Sequence, residues 1–296
     1  MGKELIVDKD PKSPISEMFR TLRTNIQFMN TNKNLKTLLI TSTVPGEGKS
    51  FVASNLAVTF AQADKKVVLI DCDMRKGTQH NIFDVNPKPG LSNFLSGIDA
   101  DGNESENDLS KYIRETDVSN LYLLPAGNIP PNPSELIASK RMINMLKELS
   151  EICDIIILDG TPSLIVTDSV ILSRFVDSTI LVSAQNTTKI DDLNKIKKDI
   201  DNVGGKIAGV VINKIEISSK KIQDRYYYYG HKTNLPAVKK NNIKGKSTSN
   251  RSKTVINNNE IEKKTKKNIG EEDLSKTDEI LSSLNTYLEK EKKKIN

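Results

Sequence analysis

Along this chain, short β-rich apolar runs alternate with stretches whose apolar residues recur at helical spacing. The runs at 38–40, 66–70, 121–124, 153–158, 178–183 and 208–212 read as strands, several of them apolar enough to be buried on both faces. Helices are expected between them at 50–63, 135–149, 166–175 and 190–202, with Ser134 capping the second. This alternation implies an α/β fold, a mainly parallel β-sheet with helices on both faces. Residues 1–11 are expected to be extended, with Pro11 and Pro14 delaying any helix. Ser13 or Ser16 then caps a helix running through Glu17 to about Met29, whose buried stripe is Met18, Leu22, Ile26 and Met29. Residues 84–120 read as irregular surface excursions around a short helical turn at 91–95, and there are no internal repeats.

The pattern fades beyond about Pro236, where Lys, Asn, Ser and Thr dominate and no aromatic residue occurs before Tyr287. By composition, residues 236–270 are a disordered linker. From 271 to 296 a helical pattern returns: Leu274, Ile280, Leu281, Leu284, Tyr287 and Leu288 form a possible amphipathic helix before a basic end. A free solubilising tail fits the same residues. The organisation expected is therefore 1–235 as the main domain, followed by these two segments.

Charge sharpens that division. Of 44 basic and 38 acidic residues, 15 and 9 lie from Lys239 onward, so the body is neutral and the whole excess of +6 sits in the tail. A nucleic-acid-binding domain is expected to carry its basic stripe on the folded body, so no nucleic-acid partner is expected. No apolar run approaches a membrane span and no signal peptide is evident, which points to the cytoplasm. Cys72 and Cys153 fall inside apolar strands and read as core residues rather than a disulfide. Two histidines and no Cys/His cluster make zinc an improbable ligand.

The candidate chemistry begins at 37–50, where an apolar strand runs into Pro45-Gly-Glu-Gly-Lys-Ser50 and a helix follows. That context makes a P-loop, and the fold expected is that of a P-loop NTPase. Gly46 and Gly48 let backbone N–H groups turn inward, and the backbone from Gly46 through Glu47, Gly48, Lys49 and Ser50 to Phe51 cradles phosphates at a helix N-terminus. Lys49 reaches the β- and γ-phosphates, and the Ser50 hydroxyl ligates Mg²⁺. Thr43 replaces the first glycine of the usual motif. The strand at 66–70 ends in Asp71-Cys-Asp73-Met-Arg75, two carboxylates on one side of the chain beside a nucleotide crevice. Cys153–Asp159 is a buried strand ending in an acid, with the carboxylate near the metal. Asn213 presents its amide to an adenine edge or is an ordinary strand-end residue. Tyr226–Tyr229 are four consecutive tyrosines, which cannot all face one buried side. They meet solvent or a partner, or form an adhesive edge strand. Glu17, Arg20 and Arg23 lie along one helix face, where the bland reading is a solvated ion pair.

Taken in order, these motifs resemble the bacterial tyrosine kinases of the capsule and exopolysaccharide type (BY-kinases), in their single-chain cytoplasmic form. The resemblance covers about residues 12–230. It rests on E-x-x-R-x-x-R at Glu17, Arg20 and Arg23, on the P-loop, on Asp71-Cys-Asp73-Met-Arg75, on Ile-Leu-Asp159-Gly-Thr-Pro and on the tyrosine run. Gly77 stands where many relatives have proline, which is expected to matter little, and the family offers no role for the residues after the tyrosines.

The resemblance implies an ATP-dependent protein tyrosine kinase that autophosphorylates the cluster Tyr226, Tyr227, Tyr228 and Tyr229 and regulates capsular or exopolysaccharide synthesis and export. It implies Lys49 on the phosphates of ATP, Mg²⁺ on Ser50 with Asp73 and Asp159 acting through water, and Asp71 as acceptor of the phenol proton. It implies too that Glu17, Arg20 and Arg23 form a subunit contact in a homo-oligomeric ring. The implied partner is a transmembrane polysaccharide co-polymerase that activates the kinase and recruits it to the inner face of the membrane, which it then touches only peripherally. A partition or division-site-positioning ATPase is the nearest alternative. Those proteins carry a signature lysine five residues before the invariant one, and here Val44 occupies that place. A non-catalytic ATP-dependent scaffold is the third reading.

Overall fold

The fold is described from a computed structural model that covers residues 5–29, 35–98, 103 and 108–215. The strands are β1 (Thr37–Ser42), β2 (Val67–Asp71), β3 (Arg114–Glu115), β4 (Leu121–Leu124), β5 (Ile155–Pro162), β6 (Ser178–Ala184) and β7 (Ile207–Asn213). They form one sheet in the order β3-β4-β2-β5-β1-β6-β7. Every pairing is parallel except β3 with β4. The helices are α1 (Ile6–Lys9), α2 (Pro14–Met29), α3 (Lys49–Ala61), α4 (Gln79–Phe83), α5 (Leu91–Ser96), α6 (Pro133–Ile137), α7 (Lys140–Ile152), α8 (Asp168–Ser173) and α9 (Ile190–Asn202).

The two-residue period of the strands sorts the core into layers. Leu38 and Ile40 of β1, Leu69 of β2 and Ile157 of β5 pack on one face with Val7, Phe19 and Leu56 from α1, α2 and α3. Leu39, Ile70 and Leu158 face the other way, onto Leu91, Met142, Leu146 and Leu172 from α5, α7 and α8. Each such fully buried side chain contributes about 1.5–3 kcal/mol of transfer free energy. A third, smaller layer sets Ile196 and Ile200 of α9 on Leu181 of β6. Cys72 and Cys153 are free, buried thiols in the second layer, as the apolar context predicts.

Several local features differ from the sequence pattern. The N-terminal stretch is not extended throughout, because Ile6–Lys9 form a helical turn that buries Val7. Pro14 then starts α2 instead of delaying it: a first helical position needs no N–H, and Ser13 Oγ accepts from Ser16 N at 3.1 Å. The buried stripe of α2 is Ile15, Phe19, Leu22 and Ile26, which leaves Met18 48% and Met29 60% exposed. The stripe is one residue out from the expected one at its start, and Phe19 fills the core where Met18 was expected.

The helix expected at 135–149 is divided into α6 and α7. Ser139 is extended and its hydroxyl accepts from Met142 N at 3.2 Å, so it caps a new helix. Ser134 is drawn away from any capping role by Asp168, to which its hydroxyl donates. Within 84–120 the helical turn expected at 91–95 forms α5, and the structure adds a 3₁₀ turn at Leu109–Tyr112 and the antiparallel β3.

Candidate active site

Strands β2, β5 and β1 are neighbours, and their carboxyl ends lie at one level. Asp71 is in register with Asp159, and Asp159 with Ile40, two residues before the end of β1. Cys72 N donates to Asp159 O at 2.9 Å, extending the β2–β5 ladder past Asp71. Asp71 and Asp159, 21 and 109 residues beyond Ser50, are thereby set beside the P-loop by sheet order alone.

The P-loop runs from Thr43 to Gly48 and opens α3 at Lys49. Gly46 and Gly48 have φ of +82° and +100°, the left-handed region that favours glycine. A Cβ on Gly48 would also lie 2.0 Å from Asn213 Nδ2. Asn213 stands at the end of β7 with Nδ2 donating to Glu47 O at 2.9 Å, so part of its amide is committed to the loop backbone. Thr43, at the place of the missing glycine, is held by the buried Glu47 side chain. Thr43 N and Oγ1 donate to its two oxygens, each at 2.7 Å, Val44 N donates at 3.0 Å, and the Thr188 hydroxyl donates as well. Four donors on one buried carboxylate brace the loop from within. The sequence points to Glu47 only for its backbone, and Thr188 not at all.

The Lys49 ammonium lies among the acids. Nζ is 3.2 Å from Asp73 Oδ2 and 3.4 Å from Asp159 Oδ1, and it donates to Ser50 Oγ at 3.2 Å. Burial alone would push this lysine down, but Asp159, Asp73 and Asp71 outweigh it and hold its pKa above the usual value. Asp71 is pushed up to about 7, first by complete burial and then by the charges of Asp159 and Asp73. The Gln79 N–H and Lys49 oppose that rise. Burial, with Asp71 next in effect, raises the Cys72 thiol well above its ordinary range, so it stays protonated and inert.

A cation therefore already has a built place here, occupied by the Lys49 ammonium and walled by Ser50, Asp73 and Asp159. Among the described residues no three His, Cys, Asp or Glu side chains form a metal cage by themselves. Mg²⁺ fits such a set, since it binds through one or two carboxylates together with phosphate oxygens and water.

Neighbouring residues complete the site. Gln79, which the sequence reading passes over, is fully buried between Asp71 and Asp159. Arg75 Nε donates to the buried Asp168 at 3.1 Å, tying the turn after β2 to the start of α8. Gly77 matters more than expected: a Cβ there would lie 2.6 Å from Ala126 Cβ and 2.9 Å from Asp71 Oδ2. Glu17 and Arg20 form an ion pair on the exposed side of α2, with Arg20 also donating to Pro11 O at 2.8 Å. Arg23 departs from them, its Nη1 donating to Thr59 O in α3 at 2.8 Å. Tyr226–Tyr229 and the segments 236–270 and 271–296 lie outside the described residues. No helix among the described residues is long and apolar enough to cross a membrane.

A strand that delivers Gly-Lys-Ser beside Asp159 of β5, with Asp71 of β2 next in the sheet, defines a P-loop protein that binds and uses ATP. A family model described as an AAA domain matches residues 35–211. CapB of Staphylococcus aureus is 43% identical over 226 residues, which cover 76% of this chain and 95% of CapB. The tyrosine-protein kinase YwqD of Bacillus subtilis is 37% identical over 235 residues, covering 79% of this chain and 94% of YwqD. The crystal structure of the chimerical protein CapA2B2 superposes with a TM-score of 0.67 at 38% identity, covering 73% of this chain and 92% of that one. The chain belongs to the bacterial tyrosine kinase family.

Proposed function

We propose that this kinase transfers the γ-phosphoryl group of ATP to tyrosines of its own chain, Tyr226–Tyr229, and through that modification regulates capsular or exopolysaccharide synthesis and export. One observation carries the reading. Lys49, Ser50, Asp71, Asp73 and Asp159 converge in a single buried cluster.

Lys49 exchanges its carboxylate partners for the phosphates, which the N–H groups from Gly46 to Phe51 also hold. Ser50 would ligate Mg²⁺, with Asp73 and Asp159 acting on it through water, and the ion would supply charge neutralisation for the transferring phosphoryl group. The phenol oxygen attacks the γ-phosphorus, the bond to the β–γ bridging oxygen breaks, and ADP leaves. The phenol proton passes to Asp71. A phenol of pKa about 10 is not ionised beforehand, so positioning matters more than early deprotonation. Asp71 is 0% exposed, so Lys49 or the 74–78 turn must move before a phenol reaches it. Asn213 remains the candidate for an adenine contact, through the part of its amide not bonded to Glu47.

Glu17 and Arg20 supply a subunit contact in a homo-oligomeric ring, in which one protomer's tyrosines enter its neighbour's site. A transmembrane polysaccharide co-polymerase activates the kinase and recruits it to the inner face of the membrane. The test is phosphotyrosine formation by the full chain with Mg-ATP and the activating cytoplasmic segment of such a partner. Phosphate on Tyr226–Tyr229 is expected. ATP turnover without phosphotyrosine would return the chain to a partition-type ATPase or a scaffold, although Val44 at the signature-lysine position speaks against the former.

A further inference from the structure

Gln79 begins α4, eight residues after Asp71, and is fully buried in the cluster. Its backbone N–H donates to Asp71 Oδ2 at 3.0 Å. Its side-chain Nε2 donates to Asp159 Oδ2 at 2.8 Å and to Ser50 O at 3.1 Å. One residue thus touches the proton acceptor, the Asp159 carboxylate of β5 and the backbone of Ser50 in the first turn of α3. The contacts are also selective about which oxygen is used. Asp159 Oδ2 is taken by Gln79, while Oδ1 points to the Lys49 ammonium 3.4 Å away. With its second oxygen tied, the Asp159 carboxylate cannot rotate without losing a buried hydrogen bond.

The other end of the amide has no such partner. Gln79 Oε1 is buried and accepts no hydrogen bond. A buried acceptor without a donor is costly and uncommon, and at a functional site it is most simply satisfied by an ordered water or a bound group. A packing residue would need neither the donor pair nor the free acceptor. A methionine of nearly the same shape would fill the same space.

We propose that Gln79 is a positioning residue for the cation site: it fixes Asp159 with Oδ1 toward the cation and offers Oε1 to a water beside it. The proposal rests on the reading of Ser50, Asp73 and Asp159 as the Mg²⁺ site. Partners that orient a metal's ligands typically change affinity or activity about 10–100-fold when removed.

The experiment compares full-length wild type, Gln79→Met and Gln79→Glu, with circular dichroism and melting curves to establish folding. The first readout does not require turnover: affinity for a fluorescent ADP analogue, measured with and without Mg²⁺. Gln79→Met is expected to bind the analogue without Mg²⁺ within about twofold of wild type but to lose about tenfold of the tightening that Mg²⁺ produces. Gln79→Glu keeps the shape, sets a further carboxylate against Asp159 and is expected to lose at least as much. The second readout is phosphotyrosine formation, where kcat is expected to fall about 10–100-fold and KM for Mg-ATP to rise in step with the lost Mg²⁺ tightening, by up to about tenfold. A folded Gln79→Met protein with wild-type Mg²⁺ response and kcat overturns the proposal. If Gln79→Met does not fold, a folded Gln79→Glu protein with an unaltered Mg²⁺ response overturns it equally. Absence of any Mg²⁺ response in wild type overturns the cation-site reading itself, so the two failures are distinguishable.

Discussion

Lys49 Nζ and Asp73 Oδ2 stand 3.2 Å apart, with solvent reaching only 12% of the lysine side chain and 8% of the aspartate's. The P-loop lysine is therefore a structural counter-ion as well as a phosphate ligand. From sequence alone, Lys49→Met removes a phosphate-binding cation and touches nothing else. In the structure it strands three carboxylates, and removing one partner of a buried pair typically costs about 3–5 kcal/mol.

Lys49→Met is thus expected to abolish phosphotyrosine formation and also to lower the melting temperature at pH 8. The loss should shrink toward pH 5.5, where Asp71 holds a proton. Melting curves at the two pH values, read with a phosphotyrosine blot, check both parts. Retained phosphorylation would sink the P-loop assignment, and unchanged melting at pH 8 would sink the counter-ion role.

Asp71 gives the stability curve a definite sign. Its carboxyl titrates at about 7 in the fold against 3.8 as the reference value. The native state then binds this proton more tightly than the unfolded chain does. Stability from this group is therefore lost as pH rises from about 4 to about 7 and stays lost above. Linkage puts the change between pH 5.5 and 8 at about 2 kcal/mol. Asp71→Asn removes the titration but leaves one of the two N–H donors, from Asp73 or Gln79, without a carboxylate oxygen. The variant should be the less stable protein at pH 5.5 and recover about 2 kcal/mol relative to wild type by pH 8. Parallel chemical denaturation of the two proteins across that range tests this, and parallel curves would refute it. The same variant should lose about 10²–10⁴-fold in phosphoryl transfer with little change in ATP affinity.

How much of this was legible beforehand follows from what each residue's role depends on. The strands, the P-loop and the acids Asp71 of β2 and Asp159 of β5 are visible because each depends on a contiguous run: apolar period, glycine spacing, an acid after four or five apolar positions, although β5 runs on past its acid to Pro162. Gln79, Asp168 and Thr188 depend on partners 80, 93 and 141 residues away, and nothing local marks them. Glu47 is hidden inside its own motif, where attention falls on backbone N–H groups and the side chain does the bracing. The stripe of α2 is misread by one position because Met18 and Phe19 are both apolar, and only the facing groove selects the aromatic ring. Ser134 and Ser139 are equally good caps on paper, and Asp168 decides between them.

The E-x-x-R-x-x-R motif divides into two parts with separable consequences. Glu17 and Arg20 pair on an exposed face, where such a pair is worth about 0.2–1 kcal/mol at most. Arg23 reaches Thr59 O instead and ties α2 to α3. A Glu17→Ala, Arg20→Ala double variant should melt like wild type but run as a monomer in light scattering. Arg23→Ala should lose about 1–2 kcal/mol of stability through the stranded carbonyl, whatever its state of assembly. A double variant that still assembles would confine Glu17 and Arg20 to a surface ion pair.

The segment beyond the tyrosines calls for a test that separates it from catalysis. From Lys239 on, 15 basic residues face 9 acidic ones, and Lys290, Lys292, Lys293 and Lys294 cluster at the end. Leu274, Leu281, Leu284 and Leu288 recur at helical spacing. A helix of that length would be marginal alone in water and would need a surface to fold on. Basic residues near an anionic leaflet contribute about 1 kcal/mol each, and a partner's acidic segment would exploit the same charges. Deleting 239–296 should leave Mg-ATP-dependent phosphorylation of Tyr226–Tyr229 unchanged, since every residue of the Lys49–Asp159 cluster is retained. The same deletion should weaken sedimentation with vesicles containing anionic lipid, or capture by the cytoplasmic segment of the membrane partner, and salt should weaken the full chain's binding in step. If the shortened protein binds vesicles and partner as well as the full chain, the tail is not a docking element, and its apolar spacing carries no function.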